Sequence, residues 1–394
     1  MRVLVLTSRT ADDRKTIAAV RALDKEGLHV TVGADRRWTP ARWSRSCRDT
    51  IMYSDPAADI QRFADQLLDH VARLEFDVLL PLCDYTTAGL ARNQDRFKKH
   101  AAIAVPEEAA RARAQDKLEV SAIAKRLGML APDTWAVDSK DCAAGLIGRL
   151  SYPCVVKFRK GAGGAGLRFP CTPDELLTCF DELGSLNDAV FDNTRLLVQE
   201  YIPGETHDVC ALFCRGEPRA VLSQKRLRMY PREGGIGVYT ETTDAPELKA
   251  LAIALLRELR WHGPAQVEFR VDSRDGRPRI IEVNTRFWGT LDLAIQAGVN
   301  FPLLTCTMAA EGDVRPVSSY RVGLKYRWPV PYGVILLCKY PGRRRTLSDL
   351  LLPKAHVLSD IRILDPVPNL MQALAALGSL GGRSNFLPRM PGTP

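Results

Sequence analysis

The stretch Ala265-Gln-Val-Glu268-Phe-Arg-Val-Asp272-Ser-Arg-Asp275-Gly276-Arg-Pro-Arg279-Ile-Ile-Glu282-Val-Asn284-Thr-Arg286 decides the fold. Two runs of alternating apolar and polar residues flank an Asp-Gly pair, which is the pattern of a β-hairpin. Side chains alternate across a strand. Val267, Phe269, Val271, Ile281 and Val283 are therefore expected on one apolar face, and Gln266, Glu268, Arg270, Glu282, Asn284 and Arg286 on the other. A hairpin centred on Asp275 sets Glu268 directly opposite Glu282. Like charges in that position repel, and a cation between them removes the penalty. Two carboxylates and an amide oxygen are hard ligands that suit Mg²⁺ (or Mn²⁺) better than zinc. Arg286 points to the same side and is placed to hold a phosphate. An ordinary exposed face rich in charge reads the same way, so a second signal is needed.

That signal lies upstream. Pro153-Cys-Val-Val-Lys157-Phe-Arg-Lys160 reads as a strand that runs into Gly161-Ala-Gly163-Gly164-Ala-Gly166. Four glycines in six residues let backbone amides approach phosphate oxygens closely. Lys157, just before the loop, supplies a compact charge. A dinucleotide-binding turn requires a helix next, whereas Leu-Arg-Phe-Pro reads as a returning strand. A P-loop requires Gly-Lys-Ser/Thr, and the loop ends Gly166-Leu-Arg. A hairpin flap over phosphates fits best; a surface hairpin without function is the bland alternative.

Together these residues resemble the ATP-grasp superfamily over roughly 110–300, and most closely its carbamoyl-phosphate-synthase-like, carboxylate–amine ligase members with a single grasp unit. The resemblance implies an N-terminal parallel α/β lobe (1–110) followed by a two-lobed ATP-grasp domain (111–310). The glycine flap would belong to a small lobe at about 135–205, the metal site to a lobe at about 206–310, and 311–394 would be a C-terminal extension. Lys117 and Lys157 match the family's phosphate-binding positions, and Gly161, Gly163, Gly164 and Gly166 its flap. Val198-Gln199-Glu200-Tyr201-Ile202-Pro203-Gly204 is similar to the adenine hinge, with Glu200, Tyr201 and Ile202 around the base. Glu205 and Asp208 both lie near the family's ribose position, and Asp208 is carried as the contact. Glu268, Glu282 and Asn284 match the metal ligands, while Arg286 and Lys157 take the catalytic roles. The implied enzyme uses ATP and Mg²⁺ to turn a carboxylate into an acyl phosphate for an amine or thiol. Two other readings stay open: a non-catalytic ATP-binding module, and a bicarbonate-using enzyme of the carbamoyl-phosphate or biotin-carboxylase kind.

The rest of the chain agrees with that frame. Strand candidates RVLVLT, LHVTVGAD, FDVLLPLCD and AAIAVP alternate with amphipathic helices within 1–110, which argues for a parallel open sheet. Residues from about 111 to 130 read as one helix, 153–220 as short strands, 246–260 and 291–311 as helices. No window approaches a membrane span. The N-terminal apolar run is too short for a secretory signal. Ten cysteines without CxxC or zinc spacing suggest reduced thiols and a cytoplasmic protein. The net charge of +9 fits an anionic small substrate. No recognition-helix or aromatic-platform pattern supports nucleic acid. A homodimer is compatible with the late region.

Overall fold

A computed structural model describes residues 1–8, 13–161, 166–183, 195–231, 234–333, 335–336, 343–350, 352 and 356–380. The tip of the glycine loop, with Gly163 and Gly164, lies outside the described residues.

Three sheets organise the chain. The first is wholly parallel, in the order Asp49–Met52, His29–Ala34, Arg2–Leu6, Val78–Pro81, Ala102–Ile103. Its strands are nearly unbroken apolar runs because both faces are covered. Leu4, Leu6 and Leu79 pack towards Phe63 and Leu67 of the helix Ile60–Leu74, while Val3 and Val5 face the core shared with the large sheet. Asp59 caps that helix, accepting from the amides of Gln61 and Arg62. Asp49–Met52 was not anticipated; its two leading residues are exposed and give no apolar run.

The second sheet is small and antiparallel, in the order Thr134–Val137, Leu196–Glu200, Cys154–Phe158. The helix Pro173–Leu183 closes it, burying Leu176, Cys179, Phe180 and Leu183 against Cys154, Val156 and Phe158. This helix falls in a region expected to hold short strands. Its apolar residues at i, i+3, i+4 and i+7 are helix spacing.

The third sheet has seven strands, in the order Pro278–Asn284, Gly263–Asp272, Gly204–Cys214, Glu217–Tyr230, Ile236–Thr243, Lys325–Arg327, Val357–Ser359. All neighbours are antiparallel except the last pair. The segment expected as a separate extension after 310 thus adds two strands to this sheet. One face carries Cys210, Cys214, Leu212, Phe287 and Trp288 into the core shared with the N-terminal lobe. The other packs Val267, Phe269, Ile280 and Val283 against the helix Pro246–Glu258.

Two expectations need correction. The helix expected over about 111–130 is two helices, Glu108–Gln115 and Lys117–Arg126. Asp116 breaks it by turning its carboxylate onto the amides of Leu118 and Glu119 and onto Arg159, 2.7 Å away. Residues 291–311 likewise divide into Leu291–Gln296 and Phe301–Glu311, across Gly298 at φ +102°. A left-handed glycine ends a helix.

Candidate active site

The hairpin forms in the expected register at its open end. Gln266 pairs with Asn284, Val267 with Val283, and Glu268 with Glu282. A bulge follows, so that Phe269 pairs with Ile280. The extra residue reverses the expected faces: Ile280 enters the core at 2% exposure, and Ile281 lines the cleft beside Glu282. The bulge bends the strand at the acidic pair, as bulges next to functional sites do.

On the neighbouring strand Asp208 lies opposite Glu268. Three carboxylates therefore run in a row across adjacent strands. Arg226 reaches across the sheet and joins two of them, at 2.5 Å to Asp208 and 2.5 Å to Glu268. Asp208 was expected as a ribose contact. It lines the floor of the cleft at 0% exposure, with its oxygens accepting from Arg226 and from Gln224 at 2.9 Å.

The cleft itself encloses about 430 Å³ between the small and large sheets. Lys157 enters from the small sheet, buried to 6% exposure. Lys117 enters from the start of its helix and lies 3.7 Å from Glu282. The break at Asp116 is what puts Lys117 at the first helical position. Burial lowers the Lys157 pKa to about 8, with Glu282 opposing that shift and Lys117 adding to it. Burial pushes Glu268 up, and the facing Glu282 adds to it, while Arg226 pulls down. For Glu282, burial is outweighed by Lys117 and Lys157, and its carboxyl is held low. The paired acids thus differ by their cationic neighbours.

At the far end, Asn284 and Arg286 leave the hairpin. The Arg286 Nη2 donates to Asn284 Oδ1 at 2.9 Å, and its Nε to Asp84 at 2.8 Å. Asp84 is buried at the end of the parallel strand Val78–Pro81, where it starts a helix. Burial would raise its carboxyl, but Arg286 and Lys15 bring it below the usual range. The pairing of Asp84 with Arg286 was not foreseen. Arg14 and Lys15 also line this end, with Arg14 donating to Gly237 O at 2.9 Å and lying 4.9 Å from the Trp328 ring. Neither they nor Arg226 were assigned from sequence. The only signal for Arg226 was its place in a basic run, which equally describes a solvated loop.

The hinge residues line the opposite wall. Glu200 bonds Arg274 at 2.7 Å, Tyr201 stands edge-on to Phe169 at 6.0 Å, and Ile202 is 3% exposed. Gly161 lines the cleft as well. Beyond the loop Arg168 forms a single antiparallel bridge with Val156, the two exchanging both backbone bonds at 3.0 and 2.8 Å. Gly166 sits at φ +75°, and a Cβ there would stand 2.3 Å from the Phe158 ring. The return at Arg168 lies antiparallel to Val156, the direction a hairpin flap would take; the loop tip between them is outside the described residues.

Gly161, Glu200, Tyr201, Ile202, the two lysines and the acidic hairpin line one cleft, and that arrangement points to the fold. The chain has the ATP-grasp fold. Two family matches agree, one described as "Carbamoyl-phosphate synthase L chain, ATP binding domain" over residues 116–211, the other as "ATP-grasp in the biosynthetic pathway with Ter operon" over 192–329. Among solved structures, an L-amino acid ligase from Bacillus licheniformis superposes with a TM-score of 0.65 at 16% identity, covering 82% of this chain and 79% of the ligase. A biotin carboxylase from Campylobacter jejuni, solved with a nucleotide, gives 0.64 at 18% identity, covering 82% and 74%. By sequence, a putative urea carboxylase of Emericella nidulans is 23% identical over 60% of this chain, and the carbamoyl phosphate synthase large chain of Vibrio cholerae 24% over 48%. The chain spans only 20% and 18% of the length of those two relatives.

Proposed function

We propose that this ATP-grasp chain is a ligase that uses ATP and Mg²⁺ to activate a carboxylate as an acyl phosphate, then passes the acyl group to an amine or thiol. The observation that carries the proposal is the Glu268–Glu282 pair, facing across one hairpin with Lys117 and Lys157 in the same cleft. The donors available for a metal are all oxygens, which suits Mg²⁺. Among the described residues no three His, Cys, Asp or Glu side chains converge as a cage. Glu268, Glu282 and Asn284 therefore make a partial shell of the kind that Mg²⁺ completes with water and phosphate oxygens. When bound, the ion neutralises phosphate charge during transfer.

The chain's own residues do the positioning. Glu200, Tyr201 and Ile202 receive the base. Lys117 and Lys157 meet the phosphates, and the glycine hairpin covers them. A carboxylate oxygen attacks the γ-phosphorus as the bond to ADP breaks. The nucleophile then attacks the acyl carbon, and phosphate leaves. Arg286, fixed by Asp84 and Asn284, is placed to stabilise the oxyanion of that second step. Lys157 enters the cycle partly desolvated, so phosphate binding relieves a cost already present in the free protein. The nine described cysteines are all unpaired thiols, which supports a cytoplasmic setting for the same reading.

The test is ADP release measured across pooled carboxylates and amines or thiols, with mass detection of a coupled product. Product that requires one acid and one nucleophile is expected. ADP release stimulated by bicarbonate alone, or binding of ATP with no turnover on any pool, would replace this reading by one of its two rivals.

A further inference from the structure

The first half of the C-terminal helix Val367–Leu380, through Ala375, is packed inside out. Its polar residues Asn369 and Gln372 are buried at 8% and 0% exposure, while Val367, Leu370 and Leu374 are exposed. On the buried side Asn369 donates to Asp360 at 3.1 Å and to Gln372 at 3.0 Å. The exposed residues follow i, i+3, i+7 and form one stripe. The turn before the helix continues it, with Ile363 91% and Leu364 79% exposed. A stable helix with its polar face in and its apolar face out marks a surface that meets something apolar.

A second segment joins this face from the other end of the chain. Asp365 accepts from Ser44 Oγ at 2.7 Å, from the Arg45 amide at 3.0 Å and from Arg21 at 2.8 Å. That ties the turn 361–366 to the loop 36–48, where Trp38 and Trp43 stack at 6.1 Å while 70% and 47% exposed. The loop carries five arginines and no acidic residue. Arg36, Arg37, Arg45 and Arg48 are exposed. Charge is biased the same way along the chain: residues 312–394 hold twelve Lys and Arg against four Asp and Glu, which is +8 of the total +9.

We propose that this face docks on an anionic lipid surface. Tryptophans, projecting aliphatic side chains and arginines together are the chemistry of a headgroup interface. Side chains that project this far partition into a soft interface without needing a shaped counterpart. A two-fold contact between copies would set each arginine cluster against its own image, which opposes self-association here. Among the described residues no helix is long and apolar enough to cross a membrane, so the contact is with the surface. The inference is independent of the ligase reading, since none of these residues lines the cleft.

The test is flotation of the full chain with vesicles of phosphatidylcholine alone and of phosphatidylcholine mixed with phosphatidylglycerol at about three to one. Binding to the anionic vesicles is expected, with a loss of about tenfold or more when salt rises from 0.05 to roughly 0.5 M. The combined variant Trp38→Ser, Trp43→Ser, Ile363→Ser and Leu364→Ser should lose about tenfold or more in vesicle binding. Its far-ultraviolet circular dichroism should be unchanged. Tryptophan emission of the unmodified chain should move to shorter wavelength with anionic vesicles alone. Equal partition to both vesicle types, no partition to either, or unchanged binding by the variant would overturn the proposal. So would a dimer in solution that the variant converts to monomer, which would assign the face to a second copy.

Discussion

At the turn end of the hairpin, Asp272 is sealed from solvent and takes Arg274 at 2.6 Å and Arg279 at 2.8 Å. At the open end, about four residues away along the same strand, Glu268 faces Glu282 and leans towards Asp208 on the next strand. Both ends concentrate acids, but they are balanced differently. Hydrogen bonds from Arg274 hold Asp272 below the usual carboxylate range. Burial and the facing Glu282 hold Glu268 above it. The turn end closes its charge with residues from the same hairpin. The cleft end leaves like charges opposed, with its cations supplied from distant parts of the chain. An acid that is balanced locally stabilises the ribbon. The pair left opposed is the one to which the proposed function assigns a cation arriving with its ligand.

Four measurements would break or sharpen this contrast. Glu282→Gln should cut ADP release by about 10³-fold or more while circular dichroism stays that of the parent. Turnover near the parent level would show that the opposed acids are structural, like Asp272. Lys157→Met should lower kcat/KM for ATP by about 10²-fold. The Lys157 amine titrates at about 8 in the free protein. It is charged below that pH and neutral above it, so the parent's kcat/KM for ATP should fall as pH rises through about 8. A profile that keeps this limb in Lys157→Met would assign it to another group.

Arg226→Met removes the cation shared by two buried carboxylates and should lower stability by about 3 kcal/mol in urea unfolding. Burial raises the folded-state pKa of Glu268, and losing Arg226 would raise it further. The loss should therefore shrink at acid pH, where Glu268 is protonated. A loss that grows with acid would contradict the assignment. The smallest effect is expected at the turn: Asp272→Asn should cost about 1–2 kcal/mol and leave ATP turnover nearly unchanged. A large loss of turnover there would mean that the two ends of the ribbon act as one unit.

The hairpin was legible because its signals are local. Alternation, the Asp-Gly turn and the odd spacing of Glu268 and Glu282 about Asp275 all lie within 22 residues. The turn back after the glycine loop is local as well: Leu-Arg-Phe-Pro was expected to return, and Arg168 bridges antiparallel to Val156. The bulge that exchanges Ile280 for Ile281 was not legible, since two adjacent isoleucines satisfy either face equally. The Asp116 break was also hidden. A helix-compatible run became two helices because one carboxylate found two amides and an arginine 43 residues away.

Residue identity alone thus determined which chemistry is available: oxygen ligands, lysines, a glycine hairpin and a hinge, in an order that resembles ATP-grasp proteins. Tertiary structure alone decided how that chemistry is tuned. Arg286 is oriented by Asp84, 202 positions distant, and Glu268 by Arg226, 42 positions distant and two strands over. Periodicity reports which way a side chain faces within its own element. It carries no information about which element lies opposite, and the opposing element sets each group's charge balance.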